Sequence, residues 1–546
     1  MTATATRDVL NQAPPLEGRD LFADNVALVE ALEREGAAAA RARLHEAGTF
    51  WGGEPMAWGV QANEHPPVLH THDRYGRRRD EVEFHPAWDE LMAAGVRDGL
   101  HALPWTSSAP GAHVARAALY QCAVQAEAGF GCPITMTFAA VPALRAQPDL
   151  AAEWTPLLTA PTYDPVLRPA ADKGSALCGM AMTEKQGGSD VRANTTRATS
   201  LDADGEYVLD GHKWFCSAPM CDLFLVLAQA DEGLSCFALP RVLADGERNA
   251  GFRLQRLKDK LGNRSNASSE LELDGAWARI VGEPGRGVAT IITMVNHTRL
   301  DCVVGTAGGM RAAVAQATWH AAHRSAFGRR LAEQPLMRNV LADLALEAEA
   351  ATATAMRLAR AYDEAEHDPD AARFARLATA VAKYYVCKRA PAHAYEALEC
   401  LGGNGYVEAS GMPRLYREAP LASIWEGSGN VMALDVLRAM ARDRRAVELF
   451  EAEVALAAGA DPRLDAFVAG LRGELSDGDA LEHRARRIVE RLALALQGSL
   501  LVRHAPAAMA DAFCAARLAG DHGLEYGTLP PGADVAAIVA RHTPSH

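Results

Sequence analysis

Glu426 stands in the run Ile424-Trp-Glu-Gly-Ser-Gly-Asn-Val431, a carboxylate set between an indole and a glycine. Most glutamates are only surface charges, but one held beside an indole and flanked by glycine is partly desolvated, which suits it to act as a base. Ser428 and Asn430 supply polar groups close by, and Leu401-Gly-Gly-Asn-Gly-Tyr406, with Gly402 and Gly403, lies about twenty residues upstream. A second chemistry-bearing run is Met182-Thr-Glu-Lys-Gln-Gly-Gly-Ser-Asp190. Its glycines, Gly188 among them, allow close backbone approach, and Thr183 and Ser189 carry hydroxyls, so with Met182 the loop could grip a flat polar ring or a phosphate. By itself such a run is more often a plain tight turn. Gly211-His-Lys-Trp-Phe-Cys-Ser217 offers Trp214 and Phe215 for stacking an aromatic system and Ser217 for hydrogen bonding to its edge, although alone it would pass for core. Arg324-Ser-Ala-Phe-Gly328 adds a cation able to pair with a pyrophosphate, with Phe327 beside it; a lone arginine at a helix end is more commonly surface charge.

Other chemistries are disfavoured. There is no G-x-S-x-G nucleophile elbow, and Gly-Ser-Gly-Asn430 lacks the lysine of a phosphate loop. The ten cysteines are scattered, none at C-x-x-C spacing, so no metal site is expected and the thiols read as reduced and mostly buried. Composition is that of an ordinary globular protein, 49% apolar and 23% charged, and a net charge of −14 argues against a surface that coats nucleic acid generally. No apolar run reaches secretory or membrane-spanning length, so no membrane association and a cytoplasmic residence are expected.

At 546 residues several domains must position these groups. The first fifteen or so residues end in Pro14 and Pro15 and read as an extended arm lying on a surface. Helical spacing follows, at Val26, Val29 and Leu32 and across His113 to Phe130. From about 175 to 280 the pattern changes to short β-prone runs, Tyr207 to Leu209, Asp222 to Ala228, Cys236 to Leu239 and Leu271 to Leu273. Asp204-Gly205, Asp210-Gly211 and Asp274-Gly275 read as turns between them. After Pro284 helices return, with Pro335 at a first helical position and Gly402-Gly403 ending another long helix. Beyond Arg442 to Arg445 comes an alanine-rich, lysine-free region, read as a further helical domain.

These motifs, in this order and at these separations, resemble those of the acyl-CoA dehydrogenase family: Met-Thr-Glu, Trp-x-x-Ser/Thr, Arg-x-x-Phe-Gly, Leu-Gly-Gly-x-Gly and an aromatic-Glu-Gly element. The resemblance implies a mainly α fold with a central β-domain. An N-terminal arm and α-domain would span 1–174, a middle β-barrel or sandwich 175–283, a C-terminal four-helix flavin domain 284–441, and an additional helical domain 442–546. It implies FAD as cofactor and a homo-oligomer, usually a tetramer, with FAD reaching a subunit interface. Carried over by position, Met182, Thr183, Gly188 and Ser189 would contact the flavin ring and diphosphate, and Trp214, Phe215 and Ser217 the ring edge. Arg324, Phe327, Gly402 and Gly403 would hold the adenylate arm, and Ser428 and Asn430 would close the site. Glu426 falls where most members carry the base that removes the α-proton of an acyl thioester. In the isovaleryl-type branch the base instead precedes an arginine in an earlier helix; here Thr298 precedes Arg299.

Val9-Leu-Asn-Gln-Ala-Pro-Pro-Leu16, Phe84-His-Pro-Ala-Trp88, Arg256 to Ala267 and the extra C-terminal region are similar to an alkylation-response branch of the family. That branch implies weak dehydrogenase activity, a protective role against alkylating agents and binding of double-stranded DNA through the last region. The alternative is a metabolic short- or branched-chain acyl-CoA dehydrogenase with no DNA role; the small-molecule substrate is open. Charge bears on the DNA reading, because residues 442–546 carry twelve arginines against fifteen carboxylates. Arg484, Arg487 and Arg491 at i, i+3 and i+7, with Arg486 at their flank, could still form a basic stripe; a solvated face interleaved with Glu482 and Glu490 is an equal reading.

Overall fold

In the computed structural model, residues 9–201 and 205–545 are described. They fall into two compact units: one runs Glu54–Asp301, the other takes in the described residues as far as Gly53 together with Cys302 onward.

The Glu54–Asp301 unit begins with helices, among them Pro55–Glu64, Pro86–Arg97, Ala112–Ala126, Gly131–Leu144 and Pro148–Leu158. Proline opens three of them, where its missing N–H costs nothing. The helix Ala112–Ala126 is buried on every side, its polar residues included. Arg116 is accommodated there because Asp301 receives it at 2.7 Å through both terminal nitrogens and Thr135 donates to the same carboxylate at 2.6 Å. Trp105, His113, Phe138 and His297 pack their rings together nearby. A hairpin of β1 (Val68–His72) and β2 (Arg78–Glu83) interrupts the helices.

The β-rich part has seven strands: β3 (Cys178–Ala181), β4 (Arg197–Ser200), β5 (Glu206–Ser217), β6 (Leu223–Ala230), β7 (Gly233–Pro240), β8 (Phe252–Leu257) and β9 (Ser268–Ile280). Pairing runs β6-β4-β5-β9-β7 and returns from β7 to β6, closing a ring, with β3 added on β6 and β8 on β9. Every side chain of β6 from Leu223 to Ala228 is buried. Two of the expected turns are not turns. Asp210-Gly211 and Asp274-Gly275 lie inside β5 and β9, where Asp210 pairs with Asp274 across a register shift. The Asp210 carboxylate accepts from the Gly275 N–H at 2.7 Å, so the side chain serves a bulge instead of a chain reversal. Asp204 of the third expected turn lies outside the described residues.

The other unit is helical. The 37-residue helix Gly287–His323 enters it, followed by Pro335–Ala365, Pro369–Glu399 and Gly429–Arg442, then Arg444–Ala455, Pro462–Ser476, Leu481–His504 and Val535–His542. The region beyond 442 is bound to the preceding helices by buried charge. Arg517 meets Asp343 and, at 3.4 Å, Glu347. Arg541 and His542 meet Glu349 at 2.9 and 2.8 Å, and Arg503 and Arg357 share Glu453. No helix among the described residues is long and apolar enough to cross a membrane.

Candidate active site

The residues singled out above divide between the two units. In the Glu54–Asp301 unit, the loop after β3 carries Met182, Thr183, Gly188 and Ser189. It is held to β5 by Glu184, a residue of the same motif to which no role had been given. The Glu184 carboxylate is fully buried and meets the Lys213 ammonium at 2.9 Å. It also accepts from the Thr195 and Thr196 N–H groups at 2.7 and 3.1 Å and from the Thr196 hydroxyl at 2.6 Å. Burial alone would raise this carboxyl, but the Lys213 charge and these donors hold it down at about 2. Burial lowers the Lys213 ammonium in spite of its partner, so much of the pair's worth lies in satisfied hydrogen bonds, including Lys213 to the Leu227 carbonyl at 2.7 Å. The Trp214 N–H donates to the Thr183 carbonyl at 2.9 Å, which completes the attachment.

Between Lys213 and Cys216 the register of β5 against β9 shifts, and this bulge carries Trp214 and Phe215. Both rings meet one cation: Lys258 Nζ lies 3.4 Å from the Trp214 centroid and 4.8 Å from that of Phe215, while bonding Glu270 at 2.7 Å. Phe215 remains 52% exposed and Trp214 half-buried, so neither is core. Ser217 Oγ lies 3.3 Å from Ser268 Oγ. Thr183 and Gly188 form a close cradle, since a Cβ on Gly188 would lie 2.5 Å from Thr183 Oγ1. A half-buried indole beside an exposed phenyl ring, hydroxyls and a glycine cradle fit the ring and phosphates of a flavin nucleotide. Thr298, where the isovaleryl-type base would precede Arg299, is buried and donates to the Val295 carbonyl at 3.0 Å, so it offers no carboxylate.

In the helical unit, Arg324 ends the helix Gly287–His323 and leads into a tight hairpin pairing Ser325 with Arg330. Its turn consists of Phe327 and Gly328, both with positive φ (54° and 77°), and leaves the Phe327 side chain 99% exposed. The arm lies on its own chain here, a feature sequence spacing could not show. Asn11 donates to the Ser325 carbonyl at 2.8 Å and accepts from its N–H at 2.7 Å, and Arg324 donates to the Asn11 carbonyl at 2.6 Å. Asn404 donates to Gln12 at 3.0 Å, so one arm spans both the hairpin and the loop of Gly402 and Gly403, which stand exposed.

Glu426 is half-buried and has φ of 58°, a left-handed conformation uncommon for a residue with a side chain. Trp425 Nε1 is buried without a hydrogen-bond partner among the described residues, a donor facing no protein acceptor. Ser428 precedes the helix Gly429–Arg442, and exposed Asn430 accepts from Arg486 Nε at 2.8 Å. The other arginines of the proposed stripe are also engaged. Arg487 and Arg491 meet Glu474 at 2.9 and 3.0 Å, and Arg484 bonds the carbonyls of Glu474, Asp477 and Asp479.

Residues 11–165 match the N-terminal domain of the adaptive response protein AidB, 179–276 the acyl-CoA dehydrogenase middle domain and 285–441 its C-terminal domain. AidB of Escherichia coli (strain K12) is 47% identical over 512 residues, covering 93% of this chain and 94% of that protein. The chain belongs to the acyl-CoA dehydrogenase family. Among solved structures, Caenorhabditis elegans ACDH-11 in complex with C11-CoA superposes with a TM-score of 0.86 at 27% identity, covering 100% of this chain and 95% of that one. Bd2924 in its apo form gives 0.83 at 30% identity, over 90% and 99%. Acyl-CoA dehydrogenases are FAD-dependent oxidoreductases acting on CH–CH groups, and FAD is the cofactor.

Proposed function

We propose that Glu426 is the base of an acyl-CoA dehydrogenation. The observation that carries this reading is the setting of residue 426: a left-handed backbone, half-buried, following Trp425, whose buried indole N–H has no acceptor among the described residues. We assign Met182, Thr183, Gly188, Ser189, Trp214, Phe215 and Ser217 to the flavin ring and diphosphate of FAD, Arg324, Phe327, Gly402 and Gly403 to the adenylate arm across a subunit interface, and Ser428 and Asn430 to closing the site. FAD, when bound, supplies the acceptor for a hydride from the β-carbon. Glu426 takes the α-proton, and the electron pair of that C–H bond becomes the α,β double bond. We assign Trp425 Nε1, buried without an acceptor among the described residues, to an acceptor on the substrate or cofactor. Anaerobic mixing of the FAD-loaded protein with butyryl-CoA tests the assignment: Glu426→Gln should bleach the flavin band on the order of a hundredfold or more slowly. Bleaching at the parent rate removes Glu426 from the role.

A protective role in the response to alkylating agents is the second reading, supported by the match to AidB along nearly the whole chain. In it, duplex DNA binds the region beyond Arg442, flavin chemistry inactivates alkylating compounds, and acyl-CoA dehydrogenation is weak. We assign domain limits at 174, 283 and 441. The fully exposed Phe327 supports a homo-oligomer, taken as a tetramer, because such a side chain on a rigid turn calls for cover. We place the protein in the cytoplasm. A salt series of duplex binding tests this second reading, which falls if binding is independent of salt.

A further inference from the structure

We propose that Lys383 is the positioning residue that holds Glu426 in its left-handed conformation; the inference rests on Glu426 being the base. Lys383 lies within the helix Pro369–Glu399 and is 1% exposed. Its ammonium donates to the Trp425 carbonyl at 2.8 Å and to the Gly427 carbonyl, one residue to either side of Glu426. Between those carbonyls stand two successive positive φ values, 58° at Glu426 and 106° at Gly427. Glycine takes such a conformation freely, whereas glutamate is strained there by its Cβ. A single buried cation therefore closes a loop whose strain falls on the one residue that must present its carboxylate.

The choice of lysine follows from shape. The chain holds only seven lysines among its 55 lysines and arginines. Three of them, Lys173, Lys213 and Lys383, are buried, and each donates to backbone carbonyls. A compact ammonium with three rotatable donors is well suited to bring two close carbonyls to one point. The ammonium donates to the backbone on both sides of residue 426, so Lys383 governs where that residue stands.

The test uses the FAD-loaded protein with Lys383→Met, which keeps length and removes the donors, and Lys383→Gln, which keeps one donor group. Crystal structures of the variants read φ at residue 426 directly, whatever the protein turns over. Reduction by butyryl-CoA reads the limiting rate separately from the half-saturating concentration. In Lys383→Met we expect φ of Glu426 to leave the left-handed region and the limiting rate to fall on the order of a hundredfold with half-saturation little changed. Lys383→Gln should lie between Met and the parent. A positive φ retained in Lys383→Met overturns the proposal, as does a changed φ with an unchanged rate in a protein whose Glu426→Gln variant is slow. If Lys383→Met does not fold, Lys383→Gln is judged by the same readings, and failure of both to fold overturns the proposal in favour of a purely structural lysine. Failure of the base reading shows separately, as an unchanged rate in Glu426→Gln.

Discussion

Arg486 Nε donates to Asn430 Oδ1 at 2.8 Å, joining the helix Leu481–His504 to the segment that follows Glu426. An arginine expected on a DNA-facing stripe is thus directed at the loop that carries Glu426. Arg486→Ala should slow flavin reduction by acyl-CoA and leave the salt slope of duplex binding unchanged. Glu474→Gln should do the reverse, because it releases Arg487 and Arg491 from their shared carboxylate. If those arginines reach phosphates, the slope of log affinity against log salt should steepen by about 0.9 for each one gained. Titration of labelled duplex at several salt concentrations measures both.

Removing the region beyond Arg445 is a poor way to locate DNA binding. Glu347, Glu349 and Asp343 are buried in the helix Pro335–Ala365, and residues 517, 541 and 542 supply their partners. Glu347 keeps Arg389 at 3.1 Å, but Asp343 and Glu349 lose the cations that pair with them, and a carboxylate buried without its cation costs about 3–5 kcal/mol. A chain ending near Arg445 should therefore unfold at lower temperature and expose apolar surface. Dye binding and calorimetry detect this, and a truncated chain as stable as the parent would refute it.

Acid should loosen the first helices before the β-rich part. Burial lowers His101 and His297 to about 4 and holds His113 well below its ordinary value. The unfolded chain binds these protons near 6.5 and the folded one does not, so stability is complete above 6.5 and declines as pH falls towards 4. For Glu184, held at about 2, the decline begins only below its ordinary 4.5. Hydrogen exchange followed from pH 7 to 4 should show protection falling first around residues 101–126 and 297, with the Glu184 loop retained. Uniform loss across the unit contradicts this order.

Gly188→Ala should weaken FAD retention without unfolding the β-rich part. The added methyl would stand 2.5 Å from Thr183 Oγ1 and displace that hydroxyl, whereas Gly188 itself is exposed and bears no core packing. Flavin content after gel filtration, compared with the melting temperature of the stripped protein, separates the two effects. Equal FAD content in variant and parent would remove Thr183 from the cofactor cradle.

The motifs were legible because each is a continuous run whose residue types already state a local geometry. Strand positions such as Leu223–Ala230 were legible for the same reason, through apolar continuity. What escaped depends on partners distant in sequence. Lys383 lies 42 residues from Trp425, Asn11 is 314 from Ser325, and Glu184 is 29 from Lys213. Nothing in their neighbours marks them out. Asp210-Gly211 and Asp274-Gly275 were misread because Asp-Gly favours positive φ, a need that a bulge and a turn share; only the pairing of two long strands distinguishes them.

The ion pairs of Glu349 set a schedule for biosynthesis. Its partners Arg541 and His542 come 192 and 193 residues later in the chain. Until they leave the ribosome, the helix Pro335–Ala365 carries a carboxylate that has no cation to bury it with. The helix Pro335–Ala365 must therefore wait, incompletely docked, until residues 541 and 542 have been made, so its burial is one of the later events in the folding of this unit.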